Sequence, residues 1–267
     1  MPLFVDQMNR TVEIPDKPKR IISLVPSQTE LLFDLGLADR IVGITKFCIY
    51  PADKVKPVAK VGGTKQLNME VIHSLKPDLI IANKEENEQS QIEALIQYYP
   101  VWISDIHDLN TALDMVERVG EITATTGKAS NIANNIRSGF EAFERSRISL
   151  SCVYLIWKAP YMAAGEDTFI NDMLQRCGFN NLVKKGRYPV LTDDELKKLN
   201  PDVLLLSSEP YPFAEKHIQE FKKLLPNTRI NLVDGELFSW YGSRLLHSPA
   251  YFINLVKKLL PNNEIDT

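Results

Sequence analysis

Short apolar runs punctuate the chain: Ile21 to Val25, Ile41 to Ile44, Leu79 to Ala82, Val101 to Ser104, Cys152 to Trp157, Val203 to Leu206 and Ile230 to Val233. Runs of this length, without polar alternation, predict strands covered on both faces. The stretches between them carry helical period, so the pattern is that of βα units and mostly parallel sheet. The fold class is α/β and Rossmann-like.

One interval departs from this rhythm, because nearly fifty residues separate Ser104 from Cys152 with no strand-like run between them. It reads as helix throughout. Within Asp108 to Thr126, Leu109, Ala112, Leu113, Val116, Val119 and Ile122 fall at helical spacing. After Gly127, Ile132, Ile136, Phe140 and Phe143 recur every three or four residues and predict a helix over 128–147. At 1.5 Å per residue such a helix is about 30 Å long, enough to tie two lobes together.

An internal echo favours that division. Asn68 to Ala82 and Thr192 to Leu206 each run as a capping residue, a two-turn helix ending in Leu, a polar residue, Pro-Asp and a buried strand, at an offset of 124 residues. The offset places Glu70 opposite Asp194 and Leu75 opposite Leu199. The expected bounds are an N-terminal α/β lobe over 1–126, a bridging helix over 127–147 and a C-terminal α/β lobe over 148–267.

Composition narrows the function. The 267 residues are 44% hydrophobic and 24% charged, ordinary for a globular chain. With 31 basic against 34 acidic residues the net charge is -3, which supplies no positive field for a phosphate backbone. No apolar run approaches the roughly 20 residues of a membrane span, and Met1 to Arg10 has no signal-like apolar region. Three unpatterned cysteines, Cys48, Cys152 and Cys177, are expected as buried thiols.

Catalytic signatures are missing. There is no G-x-G-x-x-G, Walker loop or G-x-S-x-G elbow, and Gly62-Gly63-Thr64 reads as a turn. His73, His107, His217 and His247 stand far apart and are expected at surfaces or helix ends, and no metal site is expected. Ser243 and His247 lack an orienting carboxylate, so they form no nucleophile pair.

What the sequence does gather, where strands end, is rings. Segments following strands from both halves carry Phe47, Tyr50, Trp157, Tyr161, Trp240 and Tyr241, where loops normally favour small polar residues. Ligands of open α/β sheets bind at those strand ends, so the rings suit a large, flat, partly apolar ligand. Arg244 suits a carboxylate, amide or phosphate at its rim, and the helix start at Ser27 and Gln28 offers backbone N–H groups.

These residues carry a family resemblance. The opening Asn9 to Pro15, then Pro18 to Glu30, resembles the entry of the helical-backbone substrate-binding proteins of ABC importers. Leu75 to Ala82 matches that family's mid-lobe motif, and Ala164-Gly165-Glu166 with Leu174 to Asn181 resembles its second-lobe entry. Among its members the chain looks most like the cobalamin binders, with ferric siderophore and haem binders as siblings.

The resemblance implies two Rossmann-like lobes joined by one long backbone helix, with the ligand in the cleft between them. It implies no enzyme and no cofactor beyond a bound metal chelate such as cobalamin. The carry-over places Tyr50, Met162, Tyr188, Trp240, Tyr241 and Arg244 near that ligand. Thr64 stands where cobalamin binders have tryptophan, and Met162 where they have phenylalanine; Trp157 and Tyr161 are the candidates to supply the missing rings. The family docks onto its permease through one acidic residue per lobe, and Glu70 and Asp194 match those positions. The implied partners are a small chelate and a membrane permease, not nucleic acid, and the implied state is a monomer. The family works in the periplasm or at the cell surface; without a signal segment the sequence leaves a cytoplasmic sensor or carrier open. A chelatase-like enzyme on the same scaffold is the weaker alternative, since no His or Cys cluster is present.

Overall fold

The computed structural model describes residues 1–143 and 150–260. Each of the apolar runs forms a strand, and the chain divides into two compact units. The first holds Met1–Ile106, Asn110–Ser138 and Tyr241–Leu246, and the second His107–Leu109, Gly139–Trp240 and the described residues from His247 on.

In the first unit a hairpin, β1 (Leu3–Val5) and β2 (Thr11–Glu13), precedes β3 (Ile21–Ser23). Then come α1 (Pro26–Asp34), β4 (Ile41–Ile44), β5 (Ala59–Lys60), α2 (Met69–Leu75), β6 (Leu79–Asn83), α3 (Gln89–Ile96) and β7 (Val101–Ser104). The sheet order is β5-β4-β3-β6-β7, all parallel. The chain leaves β3 toward β4 and returns to β6, so the topological switch point lies beside β3, where open α/β sheets bind ligands. Residues of β6 and β7 are buried throughout, as strands covered on both faces must be.

The interval after β7 forms α4 (Leu109–Ile122) and α5 (Thr126–Ala142), broken around Ala124, whose φ is 56°. The predicted apolar positions Ile132, Ile136, Phe140 and Phe143 are all buried. The helix expected over 128–147 begins two residues earlier, at Thr126. Residues 144–147 of that expectation lie outside the described residues.

The second unit contains β8 (Ser151–Trp157), β9 (Tyr161–Ala163), α6 (Phe169–Arg176), β10 (Asn180–Asn181), β11 (Val190–Leu191), α7 (Asp193–Leu199), β12 (Val203–Ser207), α8 (Glu215–Leu224), β13 (Arg229–Val233), α9 (Glu236–Ser239) and α10 (Ser248–Leu259). Its sheet runs β11-β9-β8-β12-β13, with β10 also on β8. Strands β8, β12 and β13 are mutually parallel, whereas β9 and β11 are antiparallel additions too short for apolar periodicity to reveal. The expected lobe over 148–267 differs at Tyr241–Leu246, which groups with the first unit because it packs on α1.

The sequence echo is a structural repeat. Asn68 Oδ1 accepts the Val71 N–H at 3.1 Å, and Thr192 Oγ1 accepts that of Glu195 at 3.2 Å, so both caps act as their spacing predicts. Both helices end on a left-handed residue, Lys76 at φ 45° and Asn200 at φ 44°, before the proline. The aspartates then grip the neighbouring strand: Asp78 accepts the Lys19 and Arg20 N–H groups at 2.7 and 2.8 Å, and Asp202 accepts that of Ser151 at 2.8 Å.

Candidate functional site

At the switch point of the first unit, α1 starts directly after β3 with Pro26 at its first turn and no side-chain cap. Ser27 and Gln28 are buried there. Gln28 Nε2 donates to Ser104 Oγ at 2.5 Å, and that oxygen also accepts from Asn83 Nδ2 at 3.0 Å and donates to Ala82 O at 3.1 Å. The amide therefore stitches α1 to the ends of β6 and β7, with Gln28 Oε1 left buried and unpartnered.

A ring–guanidinium–carboxylate stack stands on this crest. Gly242, at φ 122°, brings the backbone to α1; a Cβ there would lie 3.2 Å from Ser27 O. The following 3-10 turn, Ser243–Leu246, then directs Arg244 at α1. Arg244 Nε donates to Glu30 Oε2 at 2.9 Å and Nη2 to Glu30 Oε1 at 2.6 Å, a fork-on-carboxylate pair. The guanidinium carbon lies 4.0 Å from the ring centroid of Tyr50. Arg244 and Glu30 are mostly buried, at 14% and 15% side-chain exposure. The sequence expectation of an Arg244 offered to a ligand anion missed Glu30, 214 positions away, for which no local signal exists.

Beside Tyr50 the β4 loop is open. Phe47 is 51% exposed and Ile49 48%, with Lys46 Nζ 5.1 Å from the Phe47 centroid. Gly63 lies against the Phe47 edge, where a Cβ would be 3.1 Å from Cε2. The Gly62-Gly63 turn is present, with Gly62 at φ 102° and Gly63 N–H donating to Gln66 O at 2.7 Å. Thr64 is half-buried and its carbonyl accepts from Asn87 Nδ2 at 3.1 Å. Tyr241, also of this unit, is buried. Glu70 stands exposed in the first turn of α2.

In the second unit Trp157 ends β8 at 39% exposure, edge-on to Tyr211 with centroids 5.6 Å apart. Tyr161 packs on Phe221 at 5.2 Å; burial first, then the Asp193 charge, raises its hydroxyl above the ordinary tyrosine range. Met162 of β9 pairs with Trp157 and Val190, Tyr188 is half-buried, and Trp240 is buried. Asp194, at 95% side-chain exposure, stands in the first turn of α7 with Lys197 Nζ 3.7 Å away.

The four histidines fall at surfaces or at a helix start, as expected. His73, His107 and His247 are exposed, but His217 is buried at the start of α8. Its Nδ1 accepts the Ala214 N–H at 2.8 Å and its Nε2 faces the Tyr211 hydroxyl at 3.3 Å, so the ring completes the helix start as a neutral imidazole. Burial, then Lys158, hold its pKa below the usual histidine value. The cysteines are buried free thiols, raised by burial. Among the described residues no group of three or more His, Cys, Asp or Glu could hold a metal ion. Nor is any described helix long and apolar enough to cross a membrane.

Comparison with known proteins agrees with this architecture. The periplasmic binding protein family matches residues 21–226. An uncharacterised ABC transporter substrate-binding lipoprotein of Bacillus subtilis is 28% identical over 256 residues, covering 90% of this chain and 81% of that one. A vitamin B12-binding protein of Vibrio campbellii is 26% identical over 195 residues, 71% of this chain and 70% of its own. The structure of the periplasmic vitamin B12-binding protein of Vibrio cholerae superimposes with a TM-score of 0.79 at 20% identity, covering 92% and 99% of the two chains. The mostly parallel sheets, the two α/β units and the family match together mean that the chain belongs to the periplasmic binding protein family, as a substrate-binding protein of the ABC-transporter kind.

Proposed function

We propose that this chain captures a corrinoid, or a closely related flat metal chelate, and delivers it to a membrane permease without altering it. The observation that carries the reading is the open ring-bearing loop after β4, where half-exposed Phe47 and Ile49 adjoin the Tyr50 ring beneath Arg244. Apolar area that stays in water in the empty protein gains most when a flat ligand covers it. Trp157, exposed at the end of β8, offers a further indole. The vitamin B12-binding relatives support this ligand class.

Tryptophan fluorescence and calorimetric titration with cobalamin, haemin and ferric siderophores test the reading. Saturable one-to-one cobalamin binding is expected, and silence from the whole panel refutes it. Delivery is assigned to Glu70 and Asp194, whose exposure at corresponding helix starts suits contact with basic permease residues. Glu70→Lys and Asp194→Lys are expected to leave affinity intact and lower uptake; unchanged uptake with both reversed discards that assignment. The working place is outside the cytoplasmic membrane, and recovery of the full-length product in the cytosolic fraction would contradict it.

A further inference from the structure

Three features of the β3–α1 crest bear on ligand charge. The first turn of α1 contains no acidic residue and no side-chain cap, so its N–H groups and macrodipole leave the crest electropositive. Arg244 adds a full positive charge, mostly withdrawn from water. Alone, these two would make an anion site. Glu30, one turn into the helix, takes both Nε and Nη2 of that guanidinium at 2.9 and 2.6 Å and returns the pair to neutrality. Lys46, in the loop after β4, is exposed and stands over Phe47, where water and salt screen it. A low-dielectric pair is screened far less, so the Glu30–Arg244 pair weighs more on the field at the Tyr50 ring than an exposed charge does.

We infer that Glu30 is a specificity-determining residue, which commits this site to chelates with an amide or otherwise uncharged periphery and turns away those bearing carboxylates. The inference rests on the chelate reading above and sharpens it. A carboxylate ligand would have to displace Glu30 from Arg244 or lie beside it, like charge against like charge in a partly buried setting. An amide can accept or donate at the rim without disturbing the pair.

The test is the affinity ratio of two corrinoids that share a ring and differ only at the periphery, dicyanocobinamide with amides and dicyanocobyrinic acid with carboxylates. It is measured on the full chain by tryptophan fluorescence, with circular dichroism to establish folding. The wild type is expected to prefer the amide form by at least about tenfold. Glu30→Gln is expected to erase most of that preference by tightening the carboxylate form, and Glu30→Asp to keep it. Arg244→Gln, which leaves the Glu30 carboxylate facing the ligand, is expected to widen it, and this decides the matter should Glu30→Gln fail to fold. A wild-type ratio within twofold of unity, or ratios unmoved in Glu30→Gln and Arg244→Gln, overturns the role of Glu30 while leaving corrinoid binding standing. Absence of binding of either form to folded wild type overturns both readings.

Discussion

Gly165 precedes the second-unit helix α6, and its N–H donates to Arg187 O at 2.5 Å. Replacement by alanine aims a methyl group at three backbone atoms: Lys185 O in outright overlap, Arg187 O at 2.8 Å and the Gly186 carbonyl carbon at 3.1 Å. Comfortable carbon–oxygen contacts sit at about 3.3 to 3.6 Å, so the 185–187 backbone must retreat. Retreat strains the Gly165 hydrogen bond and the neighbouring one from Ala163 N–H to Pro189 O at 3.0 Å. Each is worth about 0.5 to 1.5 kcal/mol, and overpacking adds about 1 to 3 kcal/mol, so Gly165→Ala is expected to cost about 3 kcal/mol. The same substitution at Gly127, in the first turn of α5, meets nothing within 4 Å. There alanine restricts only the unfolded chain, and a gain of about 0.4 to 1 kcal/mol is expected. Urea denaturation of both variants against the parent reads the difference in midpoint at constant slope. Two values of the same sign, or Gly165→Ala within about 0.5 kcal/mol of the parent, would refute the steric argument.

Four further outcomes follow from the same structure. His217 is held neutral with its pKa lowered, so the unfolded chain takes up the proton first; stability is present above the ordinary value near 6.5 and is lost as pH falls from there toward the folded value. Melting temperatures between pH 7 and 5 should show that loss in wild type and not in His217→Gln, with Lys158, Lys216 and Glu220 the charges acting on the ring. Glu195 is pulled down to about 2, chiefly by the Thr192 N–H and then by Lys185, so its NMR titration should begin well below an ordinary carboxyl, and its stabilising effect, present above about 4.3, should fade as pH falls toward 2. Asn68→Ala, which removes the acceptor for the Val71 N–H, should cost about 1 kcal/mol by urea denaturation. Phe47→Ala should weaken cobalamin about tenfold in calorimetry while leaving stability within about 0.5 kcal/mol, because this ring is half in water; equal affinity would remove Phe47 from the site.

Much of the fold was legible from contiguous residues. Apolar runs such as Leu79 to Ala82 needed only covering on both faces to become strands, and Ile132, Ile136 and Phe140 needed only helical period to share a buried side. The repeat at Asn68 and Thr192 was readable because a cap acts three residues away. The N-terminal hairpin and the β9 and β11 additions were not, since two or three residues leave no period to detect. Aromatic residues after strands were legible as a group, but their exposure was not: Phe47 and Trp157 are open, whereas Trp240 and Tyr241 are buried.

The sequence by itself determined the α/β class, the caps and the places where strands end, because those depend on forces that reach one or two turns along the chain. Tertiary structure alone decided that Arg244 is gripped by Glu30 and stacked on Tyr50, and that His217 is buried and neutral. Those outcomes depend on which distant segments the sheet order brings together, and on how much water is left around a charge once they meet.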